Sequence, residues 1–267
     1  MSSLDSFFST VRLPSMNEVA HDLISSLNQD SVSVQEVCTI IGRDPALSAK
    51  LLQLANSAQF GLPRGVGTLD DAIALVGMAR VRALAVGACM AGAFPILPGL
   101  DRQAFWQSCM GCAGYTQWLA SGLGIDTQLA WLTGMMLRLG ELLIAQAEPK
   151  SLQAIEKLPM HPGDRWRRER QLVGFSEGQI TAELARRWNF PMQMVQALQR
   201  SAEPLLEQAF SRLGAALHLA SLLAEAPQAT VALDTLPVEV IDSLKLDLDW
   251  MRETVPDKST FLNVALG

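Results

Sequence analysis

Histidine has the widest capacity for chemistry in this sequence, because a neutral imidazole can bind a divalent metal or exchange a proton near pH 7. The chain contains three histidines, His21, His161 and His218. Two of them fall within predicted helices, and His161 falls in a loop between prolines. A residual metal or acid-base site is one interpretation. We favour the other, in which two are partly buried helix residues and one is a solvated loop residue.

Cysteine offers a second chemistry, because Cys109 and Cys112 form a C-x-x-C pattern. The pattern lies inside a long predicted helix, whereas a redox pair of this kind normally sits at a helix N-terminus beside a strand. A structural zinc would need two further ligands at similar spacing, and Cys38 and Cys89 are isolated. We therefore interpret the pair as small side chains packed at i and i+3.

Arginines cluster in the second half of the chain and could contact phosphates. They are Arg165, Arg167, Arg168, Arg170, Arg186, Arg187 and Arg200. Carboxylates are interleaved with them, no aromatic platform accompanies them, and the formal net charge of the chain is −6. We therefore expect a solvated face or a docking patch for an acidic protein, and no nucleic-acid partner.

The elements that must position these residues are predicted to be helices. Apolar residues recur with a helical period almost throughout, and no run alternates with a period of two between hairpin turns. Capping patterns such as Ser33 with Glu36 and Ser176 with Gln179 mark helix starts. The longest predicted helices cover residues 14–28, 78–94, 101–122 and 126–147. The sequence therefore predicts an all-α protein.

The segment DPALSAKLLQLANSAQFGLPR carries the most specific pattern of the chain. Asp44 can cap a helix N-terminus, and Pro45 suits the first helical position, where no backbone donor is needed. Asn56 and Ser57 follow an apolar face, and Gly61 is suited to end the helix. We expect the polar pair to be partly buried and to hydrogen-bond neighbouring backbone.

With the preceding LPSMNEVAHDLISSL and the following TLDDAIALVGMARVRAL, this segment resembles the HDOD family, the HD-related output domain of bacterial signalling proteins. Several motifs occur in the family's order: Leu-Pro opening a helix, Asp-Pro-Ala-Leu, Leu-Ala-Asn-Ser, and Ala-Ile-x-Leu-x-Gly ending at Gly77. Arg80 and Arg82 belong to the same family-like segment and could fasten the lobes or contact a partner. The resemblance covers roughly residues 13–220.

The resemblance implies a two-lobed, all-α HDOD fold whose second lobe is similar to HD domains but lacks their metal ligands. We expect the first helical lobe over residues 1–99 and the HD-like lobe over residues 100–226. Residues 227–267 are expected to form an acidic helical extension that packs on the body.

HD-superfamily enzymes hold divalent metals with histidines and an adjacent His-Asp pair, and this sequence departs from that pattern. The resemblance aligns the ligand positions with Ser108, with Leu137 and Arg138, and with Glu177. Only Glu177 is a good ligand for a hard metal, so we expect no metal and no other cofactor. Because an arginine can supply a metal's positive charge, we expect Arg138 and Glu177 to be near neighbours or an ion pair.

For function, the resemblance implies a stand-alone, non-enzymatic signalling protein that binds receiver, diguanylate cyclase or kinase proteins. Two alternatives stay open. One is a metal-dependent HD-type phosphohydrolase, which a metal assay would reveal. The other is a sensor that binds a nucleotide or another small ligand in the former metal pocket, which ligand-dependent thermal stabilisation would reveal.

Composition is compatible with these expectations. A chain of 267 residues with 49% hydrophobic residues can build its core without disulfides or a metal. The opening MSSLDSFFSTVRLP has no basic segment followed by an apolar core, so we expect a cytoplasmic protein with reduced cysteines. Two uncharged stretches, 83–100 and 103–125, contain prolines or polar side chains and are predicted to be buried helices, so no membrane contact is expected.

Overall fold

A computed structural model of the chain describes residues 3–29, 31–56, 65–94, 100–157, 161–206 and 210–262. Every regular element in these residues is a helix, which confirms the predicted all-α class. The described residues form two compact units. The N-terminal unit lies within residues 14–95 together with 188–191, and the C-terminal unit lies within residues 1–13, 96–187 and 192–262.

The first helix, α1 (Leu4–Thr10), was not predicted from the sequence and belongs to the C-terminal unit. Ser3 caps it by accepting a backbone hydrogen bond, and Phe7 and Phe8 are buried. The guanidinium group of Arg187 lies over the Phe8 ring, 4.5 Å from its centre. These contacts explain why residues 3–13 do not group with the first lobe, in which the sequence analysis had placed them.

The described residues of the N-terminal unit form five helices: α2 (Glu18–Leu27), α3 (Val34–Gly42), α4 (Pro45–Ala55), α5 (Leu69–Val76) and α6 (Met78–Ala93). The cap predicted for α3 is present, since Ser33 Oγ accepts from the N–H of Glu36 at 3.1 Å. α2 begins later than predicted because Asn17 caps it there. Gly77 separates α5 from α6 with a φ of 93°, which glycine adopts without strain.

The C-terminal unit continues with α7 (Arg102–Leu123), α8 (Thr127–Met136), α9 (Leu139–Ala147), α10 (Pro149–Lys157), α11 (Asp164–Leu172), α12 (Glu177–Arg187), α13 (Met192–Arg200) and α14 (Arg212–Glu225). The long helix α7 packs mainly against α8 and α14. Gly134 permits the close approach of α8, because a Cβ there would lie 2.8 Å from Ala113 Cα. The interior of this unit includes the fully buried side chains of Tyr115, Leu132 and Leu143.

The single helix predicted after α7 is divided in the structure by a turn at Leu137 and Arg138. Thr181 of α12 stabilises the turn, because its hydroxyl donates to the Leu137 carbonyl at 2.9 Å and accepts from the Gly140 N–H at 2.7 Å. A Cβ at Gly140 would lie 2.8 Å from Glu177 Cα, so glycine allows α9 and α12 to touch. The turn therefore holds Arg138 beside the start of α12.

After α14 the described chain forms four short α-helices, where one or two were predicted: α15 (Ala229–Ala232), α16 (Val238–Leu244), α17 (Leu248–Thr254) and α18 (Ser259–Leu262). Trp250 stacks on Trp118 of α7, with ring centres 5.1 Å apart. Phe261 meets Tyr115 edge-on at 4.9 Å. Gly122 leaves room for the stack, because a Cβ there would lie 2.6 Å from the Trp250 ring. The tail is thus docked along α7.

Among the described helices, none alone has both the length and the apolar character needed to cross a bilayer. Helices α5 and α6 satisfy both criteria only when counted together, and they meet at a bend of 118°.

Candidate functional site

All four residues aligned with HD metal-ligand positions lie in the C-terminal unit. Ser108 on α7 and Arg138 in the turn after α8 line the same cavity. Glu177 is the first residue of α12 and fully buried, and its carboxylate lies 3.8 Å from Arg138 Nε. Leu137 precedes Arg138 in the same turn, and its side chain is also fully buried but offers no ligand atom.

A buried ion cluster surrounds these positions and consists of Arg138, Glu141, Arg165, Glu169 and Glu177. Arg138 donates from Nε and Nη2 to one oxygen of Glu141, at 3.1 and 2.7 Å. Arg165 Nη1 lies 3.6 Å from a Glu141 oxygen and 3.7 Å from a Glu169 oxygen. The N–H of Glu177 donates to Glu169 at 2.7 Å. The expected proximity of Arg138 and Glu177 is therefore present, but Glu141 is the closer partner of Arg138.

Arg165 is a member of this cluster that the sequence analysis assigned to a solvated face. Its side chain is 4% exposed, whereas that of Arg167 on the same helix is 64% exposed. Arg165 also forms an ion pair with Glu156 of α10. The i, i+4 spacing of Arg165 and Glu169 was an available signal. It does not show which face of a polar helix turns inward, because that depends on the helices packed against it.

Burial and neighbouring charges shift the pKa values of the three carboxyl groups of the cluster in different directions. Burial disfavours ionisation of Glu141, but Arg138 and Arg165 outweigh this effect and lower its pKa. Burial raises the pKa of Glu177 to about 7, although Arg138 opposes the change. Burial and then the charge of Glu177 raise the pKa of Glu169 well above its ordinary value. Glu141 is therefore the ionised partner of the two guanidinium groups, whereas burial favours the protonated forms of Glu169 and Glu177.

The HD fold implies a divalent metal at these positions, and the side chains present do not fit one. Leucine and arginine stand where the adjacent ligand pair would be, and the Arg138 guanidinium already lies against Glu141 and Glu177. A divalent cation placed there would be repelled by the fixed positive charges of Arg138 and Arg165. Within the described residues, no group of three or more His, Cys, Asp or Glu side chains is arranged to hold a metal ion.

Beside the ion cluster lies a cavity of about 280 Å³, which we call the HD-position cavity. Arg138, Arg165 and Lys258 supply its positive charge, and Glu156 and Glu225 are its carboxylates. Lys258 comes from the tail just before α18, and its ammonium group donates to the carbonyl of Ala224. The docked tail therefore contributes a charged group to the cavity.

The histidines do not form a common site. His161 is exposed, as expected, but it also lines the HD-position cavity. His218 is half-buried, stacks on Trp166 and places Nδ1 2.7 Å from the Ser201 carbonyl oxygen, and burial lowers its pKa. His21 is exposed, although partial burial was predicted, because it lies on the outer face of α2.

Cys109 and Cys112 are buried free thiols on α7. Burial raises the pKa of Cys112 to about 12 and that of Cys109 well above its ordinary value. A thiol of this kind is a poor nucleophile, because the reactive species is the thiolate. The structure thus agrees with their interpretation as packed small side chains.

In the N-terminal unit, Asp44 and Pro45 form the predicted helix start. One Asp44 carboxylate oxygen accepts from the N–H groups of Ala46 and Leu47, both at 3.0 Å, and Pro45 is the first residue of α4. The other Asp44 oxygen accepts from the Asn17 side chain at 3.4 Å. The signature thus ties the starts of α2 and α4 together and borders a cavity of about 310 Å³.

Asn56 connects the end of α4 to the chain that precedes α5. Its amide donates to the carbonyls of Leu52 and Val66 at 2.8 and 2.9 Å, and its Oδ1 accepts from the Val66 N–H at 2.6 Å. The expected backbone contacts are therefore present, but Asn56 is exposed and not partly buried. Ser57 and Gly61 lie outside the described residues.

Arg80 and Arg82 both lie half-buried on α6. Arg82 donates to the carbonyl of Ser26 at 2.8 Å, which joins α6 to the end of α2 within the N-terminal unit. This contact gives Arg82 a structural role inside its own unit. A role of either arginine in partner contact stays a prediction.

The helical fold and the ion cluster at the HD positions define an HD-related protein without the metal-ligand set. A family model of the HDOD domain matches residues 13–204, and the chain therefore belongs to the HDOD family. A curated relative, an uncharacterized protein of Treponema pallidum (strain Nichols), is 26% identical over 196 residues. The match covers 70% of this chain and 37% of that protein, so the chain spans little more than a third of its length.

Solved structures that are similar to this chain include proteins from three other bacteria. A candidate phosphohydrolase from Shewanella amazonensis SB2B is 27% identical with a TM-score of 0.72, covering 97% of this chain and 91% of that chain. A candidate signal transduction protein from Marinobacter aquaeolei VT8 is 23% identical with a TM-score of 0.76, covering 95% and 57%. An HDOD domain protein of unknown function from Geobacter sulfurreducens is 18% identical with a TM-score of 0.75, covering 98% and 97%.

Proposed function

We propose that this protein is a non-catalytic component of a bacterial signal-transduction pathway and acts by binding other proteins. The observation that carries the proposal is the buried ion cluster. Arg138 replaces a metal-ligand carboxylate, and its guanidinium group lies against Glu141 and Glu177, the carboxylates nearest to the former site. Membership in the HDOD family, whose name denotes an output domain of signalling proteins, supports the same function.

The experiment on catalysis measures hydrolysis of bis(4-nitrophenyl) phosphate by the purified chain in the presence of Mg²⁺, Mn²⁺ or Zn²⁺. We expect the same rate for the wild-type protein and for Glu177→Gln, since Glu177 is the one good metal ligand among the aligned positions and cannot hold a metal-activated water by itself. Metal-dependent hydrolysis that disappears in Glu177→Gln would contradict the non-catalytic function.

The partners that we propose are receiver, diguanylate cyclase or kinase domains encoded by the same genome. Interferometry with purified domains of each class, immobilised in turn, tests this part of the proposal. We expect saturable binding to a member of at least one class. Absence of binding to all three classes would contradict the proposed partners, independently of the result on catalysis.

A metal-dependent phosphohydrolase is the second candidate function. The observation in its favour is the likeness to the candidate phosphohydrolase from Shewanella amazonensis SB2B, at 27% identity over 97% of this chain. The donor set argues against this candidate, because Ser108, Leu137 and Arg138 cannot replace imidazole and carboxylate ligands. The hydrolysis assay described above separates the two functions.

A further inference from the structure

Three cationic side chains converge on the HD-position cavity. Arg138 and Arg165 line it from the turn after α8 and from α11, and Lys258 lines it from the tail. The groups are close enough to influence one another, since burial and then the charge of Arg138 lower the pKa of Lys258. Like charges that face one space repel, and an anion between them would relieve the repulsion.

Lys258 is the least compensated of the three. Its ammonium group donates to the Ala224 carbonyl, and Glu225 is the carboxylate whose charge partly offsets the lowering of its pKa. The two carboxylates that line the cavity are only partly engaged by other groups. One oxygen of Glu225 has no hydrogen-bond partner among the described residues. Glu225 accepts from the N–H of Gly163 at 2.9 Å, and Glu156 forms an ion pair with Arg165.

Arg165 has one donor atom, Nη1, buried beside Glu141 and Glu169, that is not hydrogen-bonded among the described residues. Oxygens of these two carboxylates lie 3.6 and 3.7 Å from it. A guanidinium group offers paired N–H donors that match the oxygens of a carboxylate or a phosphate. The hydroxyl groups of Ser108 and Ser221 also line the cavity and can bond a ligand's polar substituents.

We propose that the HD-position cavity binds a small organic anion, a phosphomonoester or a carboxylate, with its oxyanion between Arg138, Arg165 and Lys258. The volume of about 280 Å³ corresponds to roughly nine water molecules, which suffices for a phosphate group with a short hydroxylated chain. The proposal requires neither catalysis nor a protein partner, so its failure would leave the proposed function untouched.

Isothermal titration calorimetry with the full chain tests the proposal. The probes are inorganic phosphate, glycerol 3-phosphate and succinate, with choline chloride as a cationic control. We expect saturable binding of at least one anion and none of choline. The phosphate and succinate arms show which oxyanion the site prefers. No saturable binding of any of the three anions, or equal binding of choline, would overturn the proposal.

Variants assign the binding to this cavity. Lys258→Met keeps the aliphatic stem that lies beside Gly111, and we expect it to weaken anion binding about tenfold. Lys258→Arg should retain binding, and Lys150→Met, which removes an exposed lysine on α10, should bind as the wild type does.

Ser108→Asp provides a second and independent variant, because it adds a negative charge to the cavity lining without altering Lys258 or the tail. We expect it to abolish anion binding. Thermal melting of each variant shows whether it is folded. Wild-type affinity in folded Lys258→Met or in folded Ser108→Asp would overturn the assignment to this cavity.

Discussion

At the residue scale, the buried ion cluster shows how arginine side chains can supply positive charge at positions that hold a metal in HD-type enzymes. The proximity of Arg138 and Glu177 could be predicted, because the resemblance aligned both with ligand positions. Arg165 and Glu169 could not be predicted, since a sequence does not show which face of a polar helix is buried. Removing one partner of such a cluster leaves another charge without compensation in a medium that solvates it poorly.

Arg138→Met should lower the free energy of unfolding by about 3–5 kcal/mol, because it leaves the ionised Glu141 without its closest partner. Arg167→Met is the matched control, as its exposed pair with Asp164 should contribute under about 1 kcal/mol. Urea denaturation of both variants provides the comparison. Equal stability of the two variants would show that Arg138 is not an internal counter-charge.

Glu177 should make stability depend on pH. Its pKa is raised by burial from an ordinary value of 4.5 to about 7, so the folded chain binds this proton more tightly than the unfolded chain. Stability from this group is therefore full below about pH 4.5, declines as pH rises towards 7, and is lost above that. The lowered pKa of Glu141 acts in the opposite direction, but only at lower pH.

Glu177→Gln should therefore reduce the decline in melting temperature between about pH 5 and about pH 7.5. Some slope should persist, because the pKa of Glu169 is also raised. Thermal melts of the wild type and the variant across this range provide the measurement. An unchanged slope would mean that Glu177 is ionised throughout.

Asn56→Leu should lower the free energy of unfolding by about 1–3 kcal/mol, because it leaves the N–H and carbonyl of Val66 without their partner. Gln53→Leu, at an exposed position on α4, is the control and should change stability little. An unchanged melting curve together with loss of partner binding would instead make Asn56 a recognition residue.

At the element scale, most helix starts could be predicted because their signals are local. Ser176 and Gln179 form a reciprocal cap before α12, as the sequence indicated. The turn at Leu137 and Arg138 could not be predicted, since it depends on Thr181, which is distant in sequence and bonds the backbone on both sides of the turn. This turn places Arg138 in the cluster.

Gly140→Ala should lower the free energy of unfolding by at least about 2 kcal/mol, because a Cβ there would collide with the backbone of Glu177. The control is Gly92→Ala on α6, where a Cβ would meet nothing within 4 Å. That change should be neutral or stabilise the chain by up to about 1 kcal/mol. Calorimetric melting of both variants is the measurement, and a similar small change in both would contradict the close contact of α9 with α12.

At the scale of the whole molecule, the order of motifs along the chain sufficed to predict the HDOD fold. The grouping of α1 with the C-terminal unit was not predictable. It rests on contacts between residues far apart in sequence, such as Arg187 over the Phe8 ring. The tail likewise docks through Trp250 on Trp118, and aromatic contacts of this kind leave no local pattern that sequence periodicity can detect.

We infer that the guanidinium groups of Arg138 and Arg165 have replaced the metal of an HD-type site. The metal content of the purified chain tests this claim most directly. Elemental analysis after equilibration with Mn²⁺, Fe²⁺ and Zn²⁺, followed by gel filtration, should find well under about one equivalent of any metal. About one equivalent of bound metal, lost on Glu177→Ala, would contradict the claim.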